Sequence, residues 1–476
     1  MASLLSSASD LLRELRSALG TEGVLSDPAD LLVYECDGFT IQKNVPQAVV
    51  FPRTTGEIAE VLTVCNRYRV PVVPRAAGTS LAGGCLPVDG GVVLMTTRMR
   101  RILEVNLRDR MAVVEPGVPN VQLGRALAGS GFHFAPDPSS QGASTIGGNV
   151  ATNAGGPHTL KYGVTGNHVL GVEAVLPDGE IIQLGPVANP GEMDLLGVLV
   201  GSEGTLAVIT KIWVKLTPNP QAYRTLRVMF DTVDAAGEAI SDIIGEGIIP
   251  AAMELMDQGI IRAVEQAFHF GFPLDVGAMA VIELDGVEAD LDDQVARIVG
   301  LCRMHGAKEI LFATDAEERA LLWKCRKLAV GAVGRLAPSY CIQDGVVPRT
   351  KLPRIIRKVV ELSKKYDVGI VNVAHAGDGN VHPILLFDER DIEQVGRVLE
   401  AGRELLEECI ACGGSITAEH GVGVEKIELM PRLFKPRDLE AMAAVRDVFN
   451  PDGLLGRGKV LPNRGGTVRP GLHSGA

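Results

Sequence analysis

From residue 46 the chain alternates short apolar runs with segments whose apolar residues recur every three or four positions. AVVFP reads as a strand, TTGEIAEVLTVCNRYRV as an amphipathic helix, and PVVPR as a buried strand that runs into a glycine-rich turn. This order predicts an α/β domain. GVVLMTT, RILEVNLRDRMAVVEPG, HVLGVEAVLPDGEIIQLG and GTLAVITKIWVKL then predict strands of a second sheet, with turns at Pro116-Gly117 and Asp178-Gly179. The segment closes at Pro218-Asn219-Pro220, after which glycine thins out. RTLRVMF, a helix over DTVDAAGEAISDIIGEG, AMAVIELDG, a helix over DLDDQVARIVGLCRMHG, and KEILFAT follow in a β-α-β-β-α-β-like order. An α+β domain is therefore expected from residue 221. Long helices come next, over 315–336, 351–368 and 391–414, and the chain ends in a proline-punctuated tail whose last stretch, 466–476, reads as disordered.

The N-terminal stretch spaces Leu4, Leu11, Leu12, Leu15 and Leu19 along one helical face and interrupts it with Asp10, Arg13, Glu14 and Arg16. That pattern predicts a docking helix rather than a signal peptide. A length of 476 residues exceeds what one core usually serves, and 46% apolar with 22% charged residues describes an ordinary globular enzyme. The net charge of -12, without a basic stripe, argues against nucleic acid as a partner. Eight scattered cysteines favour reduced thiols and the cytoplasm, and Cys409-Ile-Ala-Cys412 lacks the second pair that a metal cluster needs. No run of about 18 uncharged apolar residues occurs, so no transmembrane segment is expected, while peripheral attachment at an inner membrane stays open.

The turn after PVVPR, A-A-G-T-S-L-A-G-G, offers bare backbone N–H groups to a diphosphate but lacks the G-x-G-x-x-G order of the usual dinucleotide helix turn. Alone it suits a phosphate cradle and a plain turn equally. A second polar, glycine-rich run over 136–163 is too long for a hairpin and suits a cofactor-lining loop. Gly453 to Val460 nearly spells a P-loop, yet Val460 lacks the hydroxyl that would bind magnesium, so ATP hydrolysis is not expected.

R-A-A-G-T-S-L-A-G-G, P-D-P-S-S, T-I-G-G-N-V-A-T-N-A-G-G and V-G-S-E-G-T-L-A-V-I-T together resemble the vanillyl-alcohol-oxidase type (PCMH-type) of FAD-binding domain. Within it, the resemblance is to the FAD-linked 2-hydroxy-acid dehydrogenase branch, which includes glycolate oxidase FAD subunits and D-lactate and D-2-hydroxyglutarate dehydrogenases. It implies an α+β fold: an N-terminal helical segment over 1–45, a two-subdomain FAD-binding domain over 46–220, a ferredoxin-like α+β substrate domain over 221–425, and a C-terminal segment over 426–465 that returns to the FAD domain. By the same likeness Pro74, Arg75, Ala76, Ala77, Gly78, Thr79, Ser80 and Leu81 hold the pyrophosphate. Pro136, Asp137, Ser139, Thr145, Gly147, Gly148, Asn149, Thr152, Asn153, Ala154, Gly155 and Gly156 line flavin and ribityl, and Glu203, Gly204, Thr205 and Ile209 flank the adenosine. Relatives with covalent flavin carry histidine where this chain has Thr79, which implies non-covalent FAD. The usual N-P-G-K of the tail is replaced here by Gly456-Arg457-Gly458-Lys459.

In the C-terminal half, His375-Ala-Gly-Asp-Gly-Asn-Val-His382 follows the strand GIVNVA, bends at its glycines and enters another strand, so both imidazoles can converge from the two ends of one turn. With Glu419 they form an N/O set suited to Zn²⁺ or Mn²⁺ with positions left for substrate. The plainer reading is that the histidines cap turns and Glu419 pairs with a lysine such as Lys426. The resemblance implies that His375, His382 and Glu419 are ligands of a divalent metal and that His420 is the base. Asp378 and Asn380 then read as turn formers and outer partners of the imidazoles. Arg326, three residues after Trp323, is the candidate cation for a substrate carboxylate. Some relatives add a lysine before D-x-x-x-P, where this chain has Gln343-Asp344. That departure favours a monocarboxylate, glycolate or D-lactate, over 2-hydroxyglutarate.

The expected activity is oxidation of a 2-hydroxy acid to the 2-oxo acid, with electrons leaving for an external acceptor: an iron–sulfur subunit, an electron-transferring flavoprotein, a quinone, a cytochrome or oxygen. The chain holds neither an iron–sulfur cysteine set nor a nicotinamide fingerprint. It reads either as a self-sufficient dehydrogenase or as the FAD subunit of a larger complex, and homo-oligomerisation is open.

Overall fold

The structure, a computed structural model, describes residues 2–185 and 193–462. The tail expected to be disordered, 466–476, lies outside the described residues. Contacts divide the chain into two compact units, one of Met1–Ala154, Thr165–Thr217 and His420–Ala476, the other of Gly155–Val164 and Pro218–Glu419.

In the first unit the helix Ala2–Leu19 buries Leu11, Leu15 and Leu19 in one core with Ile58, Val61 and Leu62 of the helix Thr55–Arg67. Each such side chain contributes about 1.5–3 kcal/mol. Glu14 adds bonds from Arg67 at 2.6 Å and from the Tyr68 hydroxyl at 2.7 Å. Behind this helix pair stands a four-stranded sheet in the order Val24–Leu25, Ala48–Val50, Val92–Met95, Val72–Arg75, its last three strands parallel. Parallel strands buried on both faces explain the unbroken apolar runs AVV and VVLM. A second, antiparallel sheet runs Ile102–Asn106, Met111–Val114, Val208–Lys215, Val169–Val175, Ile181–Leu184. The expected run over 101–117 is thus two strands, reversed at Arg110, whose φ is 54°. The C-terminal segment belongs to this unit: Val72 donates to the Leu454 carbonyl at 2.9 Å, and Leu455 bridges Val72 in parallel. Lys459, the would-be P-loop lysine, is buried and donates to the Leu86 carbonyl.

The second unit is built on an eight-stranded sheet. Its main path runs Glu309–Phe312, Ala222–Phe230, Ala278–Gly286, Ala252–Asp257, Gly369–His375, Asn380–Phe387, Ser339–Ile342, and Gly345–Val346 pairs with Asn380–Phe387. The first four strands carry the ferredoxin-like order expected from the sequence, with a correction: the strand Ala252–Asp257 and the helix Gln258–Phe268 that follows it were not among the expected elements. Period-2 alternation sorts the sheet's two faces. Leu226, Ile282, Leu255, Ala374 and Val381 point into the main core with Ile240, Ile243, Ile355 and Val359 from the covering helices. The opposite face carries Thr225, Glu283, Glu254, His375 and His382, all buried.

Two boundaries differ from the sequence reading. Gly155–Val164, expected within the flavin domain, groups with the second unit because Lys161 and Tyr162 bond Asp285 (2.6 Å for the tyrosine) and His158 sits 3.4 Å from Glu283. The second unit also ends at Glu419 rather than at 425.

Candidate functional site

The strands Gly369–His375 and Asn380–Phe387 pair in register from Gly369↔Leu386 to His375↔Asn380, so the turn between them is as tight as HAGDGN predicts. Gly379 sits at φ +84° with the Val347 carbonyl 2.1 Å from where a Cβ would stand; only glycine fits there. Asp378 accepts from the Asn380 N–H at 3.1 Å, an Asx-type turn contact, and burial pushes its carboxyl up to about 6. The two imidazoles meet edge to face with centroids 5.1 Å apart.

Glu419 Oε1 lies 3.3 Å from His375 Nε2 and 3.1 Å from His382 Nε2. Each ring is held from behind: His375 Nδ1 is 2.6 Å from the Glu254 carboxylate, and His382 Nδ1 is 3.3 Å from the Gln343 carbonyl. With Nδ1–H donated to those acceptors, loss of the other ring proton would free both Nε2 atoms, which face Glu419, to ligate a cation. Ligands at about 2.0–2.1 Å from a tetrahedral metal are separated by about 3.3–3.4 Å, and the two nitrogen–oxygen separations, 3.3 and 3.1 Å, are near that edge length. Desolvation disfavours charge on His375, but Glu254 and Glu419 outweigh it and hold its pKa well above the ordinary histidine value. A divalent cation would supply the positive charge that this imidazolium otherwise provides.

Glu419 itself is placed by an acid that sequence reasoning did not assign to the site. Asp344, buried without residual exposure, accepts through Oδ2 from the Thr417 hydroxyl at 2.5 Å and from the N–H groups of Ala418 and Glu419 at 2.9 and 3.0 Å. The donor atoms of Asp344, His382 and Glu419 lie within 4.8 Å of one another. Glu254 was also missed. A lone acid in the apolar run A-A-M-E-L-M was the available signal.

Arg326, on the helix Ala316–Ala332, is 2% exposed and its Nε lies 2.5 Å from Glu254 Oε2. Burial would raise the Glu254 pKa, but Arg326 and His375 keep it below the usual carboxylate value. On the same helix face Arg319 grips Glu283 at 2.7 and 2.8 Å, and Trp323 Nε1 donates to Glu283 at 2.6 Å. His420 follows Glu419 directly and opens the last stretch of the first unit.

In the first unit the expected flavin segments converge. A Cβ on Gly148 would stand 3.3 Å from Ala76, and one on Gly204 3.2 Å from Pro74, so the loop after PVVPR, the turn at 147–148 and the loop at 203–205 lie against one another. Glu203 donates its N–H to the Ala151 carbonyl at 2.7 Å. Thr145 caps the helix Ile146–Thr152 through Gly148 N, Thr152 bonds the Gly148 carbonyl, and Asn149 is fixed to Asn120, which in turn donates to the Pro136 carbonyl. Asn153 takes the left-handed conformation and accepts from Gly166 N at 2.8 Å, and the Ala154 carbonyl accepts from Thr165. Gly147 touches Pro116 closely enough to exclude a side chain. Arg75 donates to the Cys36 carbonyl at 2.7 Å while Gly78 passes over its guanidinium. Amides, hydroxyls and bare glycines in this arrangement are the neutral donor set that a dinucleotide needs. Some expected contacts have other duties: the Glu203 carboxylate accepts from the N–H groups of Val422 and Gly423 at 2.7 and 2.8 Å, Thr205 bonds Ser202, and Ile209 is buried in the core of the antiparallel sheet. Gly155 and Gly156 lie in the second unit, where Gly155 faces Glu419. Ser139 is exposed and Asp137 half-buried.

Two family profiles match the chain: "FAD binding domain" over residues 46–185 and "FAD linked oxidases, C-terminal domain" over residues 219–460. The sequence is 44% identical over 454 residues to the glycolate oxidase subunit GlcD of Escherichia coli strain K12, spanning 95% of this chain and 91% of that protein. It is 32% identical over 424 residues to the mitochondrial D-lactate dehydrogenase [cytochrome] of Arabidopsis thaliana, spanning 88% of this chain and 74% of that one. The fold is similar to that of p-cresol methylhydroxylase with substrate bound, at a TM-score of 0.81 and 17% identity over 95% of this chain and 96% of the other. Two sheets fed by a glycine-rich loop, a ferredoxin-like second unit and these matches agree: the chain is an FAD-dependent oxidoreductase and belongs to the FAD-linked oxidase family.

Proposed function

We propose that this protein oxidises a small 2-hydroxy monocarboxylate, of the glycolate or D-lactate kind, to the 2-oxo acid, with a divalent cation, Zn²⁺ or Mn²⁺, held by His375, His382 and Glu419. The observation that carries this reading is the convergence of two imidazole Nε2 atoms on one Glu419 oxygen at 3.1 and 3.3 Å, each ring braced through Nδ1. The relatives' names, a glycolate oxidase subunit and a D-lactate dehydrogenase, point to the same substrate class. When bound, FAD supplies a two-electron acceptor and the cation supplies Lewis acidity at the substrate hydroxyl.

The chain's own residues do the rest. His375, His382 and Glu419 would hold the cation, and His420, next to Glu419 in the chain, would be the base that takes the hydroxyl proton. Arg326 remains the assignment for the substrate's carboxylate, its guanidinium fixed through Nε on Glu254. Glutamine at position 343, where some relatives carry a lysine, leaves no cation there for a second carboxylate. Threonine at position 79 supports non-covalent FAD.

A second reading makes the chain the FAD subunit of a larger complex, and one observation favours it: the similarity to a protein named as a subunit. Electrons then pass to an outside acceptor, an iron–sulfur subunit, an electron-transferring flavoprotein, a quinone or a cytochrome. Among the described residues no helix is long and apolar enough to cross a membrane.

Anaerobic mixing of the purified flavoprotein with a panel of D- and L-2-hydroxy acids tests the function. Bleaching of the flavin by glycolate or D-lactate, and not by 2-hydroxyglutarate, is expected; an unbleached flavin with every monocarboxylate overturns it. Dye-linked turnover by the single chain separates the two readings.

A further inference from the structure

We infer that Glu254, itself held by Arg326, is a positioning residue for His375: its carboxylate keeps the imidazole protonated on Nδ1 and so presents the Nε2 lone pair to the cation. The inference rests on the metal reading above and adds a residue which that reading does not use. Glu254 lies 121 residues away from His375 in the chain, on the strand Ala252–Asp257. Strand pairing sets Glu254 directly opposite His375, so the reach of the hydrogen bond is fixed by the ladder rather than by a flexible loop. The side chain has no residual exposure, and its two oxygens are divided between two partners: Oε1 lies 2.6 Å from His375 Nδ1 and Oε2 2.5 Å from Arg326 Nε.

A buried carboxylate is costly unless paired, and a carboxylate that is only structural can be satisfied by any donor. Here one oxygen is spent on a cation that keeps the acid charged, and the other on the back of an imidazole whose front faces Glu419 at 3.3 Å. The second imidazole is braced differently. His382 Nδ1 has the main-chain carbonyl of Gln343, at 3.3 Å, a neutral acceptor that no side-chain substitution removes. The bracing of His375 passes through a replaceable, charged side chain in hydrogen-bond contact. Carboxylates placed behind ligand histidines fix tautomer and ring orientation and raise the basicity of the ligating nitrogen.

The test compares two double variants of the FAD-loaded protein. Glu254→Leu with Arg326→Met removes the acceptor; Glu254→Gln with Arg326→Met removes the same charges but keeps an oxygen that can accept from Nδ1. Both avoid leaving an unpaired buried ion, and FAD content with thermal melting reports whether each has folded. Co²⁺ is the probe: its dissociation constant is measured by chelator competition, and its d–d absorption reports ligand geometry. The Leu/Met variant is expected to bind Co²⁺ about 10–100-fold more weakly than wild type, with an altered spectrum. The Gln/Met variant should recover most of that loss. Equal Co²⁺ affinity and identical spectra in the two variants, with wild type binding normally, overturn the positioning role alone. A wild-type protein that binds no Co²⁺ overturns the metal reading and this inference together. If the Leu/Met variant loses FAD, Glu254→Asp, which retracts the acceptor by one methylene, takes its place: weaker Co²⁺ binding supports the role and unchanged binding overturns it.

Discussion

Gly155 lies against Glu419 so closely that a Cβ on it would stand 2.8 Å from Oε2 and 3.3 Å from the glutamate's own Cβ. Gly155 comes from the glycine-rich run expected to line the flavin, and the structure sets it beside a proposed metal ligand within the second unit. Gly155→Ala should therefore push the Glu419 carboxylate aside and weaken divalent-metal binding at least about tenfold, as losses of outer contacts do. Metal content after dialysis against a mild chelator checks this; full retention of metal speaks against the site.

His420→Ala should slow flavin reduction by substrate about 10²–10⁴-fold, the usual contribution of a positioned base, while FAD and metal contents stay at wild-type values. Single-turnover absorbance at the flavin band is the measurement. An unchanged rate removes His420 from the chemistry.

Thr79 stands where covalent relatives carry histidine, so acid precipitation should release all the FAD into the supernatant. Yellow colour that stays with the precipitated chain contradicts non-covalent binding.

Lys459 is 1% exposed, and burial brings its pKa down to about 8 despite the nearby acids and Cys85. In an unfolded chain a lysine titrates near about 10.4. Below pH 8 both states hold the proton and the burial cost is fully present. Between 8 and about 10.4 the unfolded chain binds more protons, so the lysine's contribution to stability rises with pH, by about 3 kcal/mol across the window. Lys459→Met removes this dependence. Urea unfolding from pH 7 to 10.5 should show the wild type gaining on the variant as pH rises, and a constant difference contradicts the assignment.

Much of this was legible in the sequence because it is written in local spacing. His375 and His382 flank a turn that glycine and aspartate specify within eight residues, and strand pairing must then bring the two imidazoles together. The glycine-rich loop after PVVPR announces itself by position, directly behind a buried parallel strand. What stayed hidden depends on long-range pairing. A-A-M-E-L-M shows no alternation, since both faces of Ala252–Asp257 are covered, and a glutamate there reads as a surface residue until its strand is placed beside His375. Asp344 was visible only as part of a motif compared for its missing lysine, because the N–H groups it holds belong to residues 418 and 419, more than 70 positions on. Arg326 was legible as a candidate cation, but its burial against Glu254 depends on a strand that local spacing did not reveal.

The most direct measurement of the account is anaerobic flavin reduction by a 2-hydroxy monocarboxylate in one preparation, first as purified, then stripped with a chelator, then reloaded with Zn²⁺ or Mn²⁺. We predict rapid bleaching, its loss on stripping with FAD still bound, and its return on reloading, with no return in His375→Ala or His382→Ala. Stripped protein that bleaches at the original rate contradicts the account.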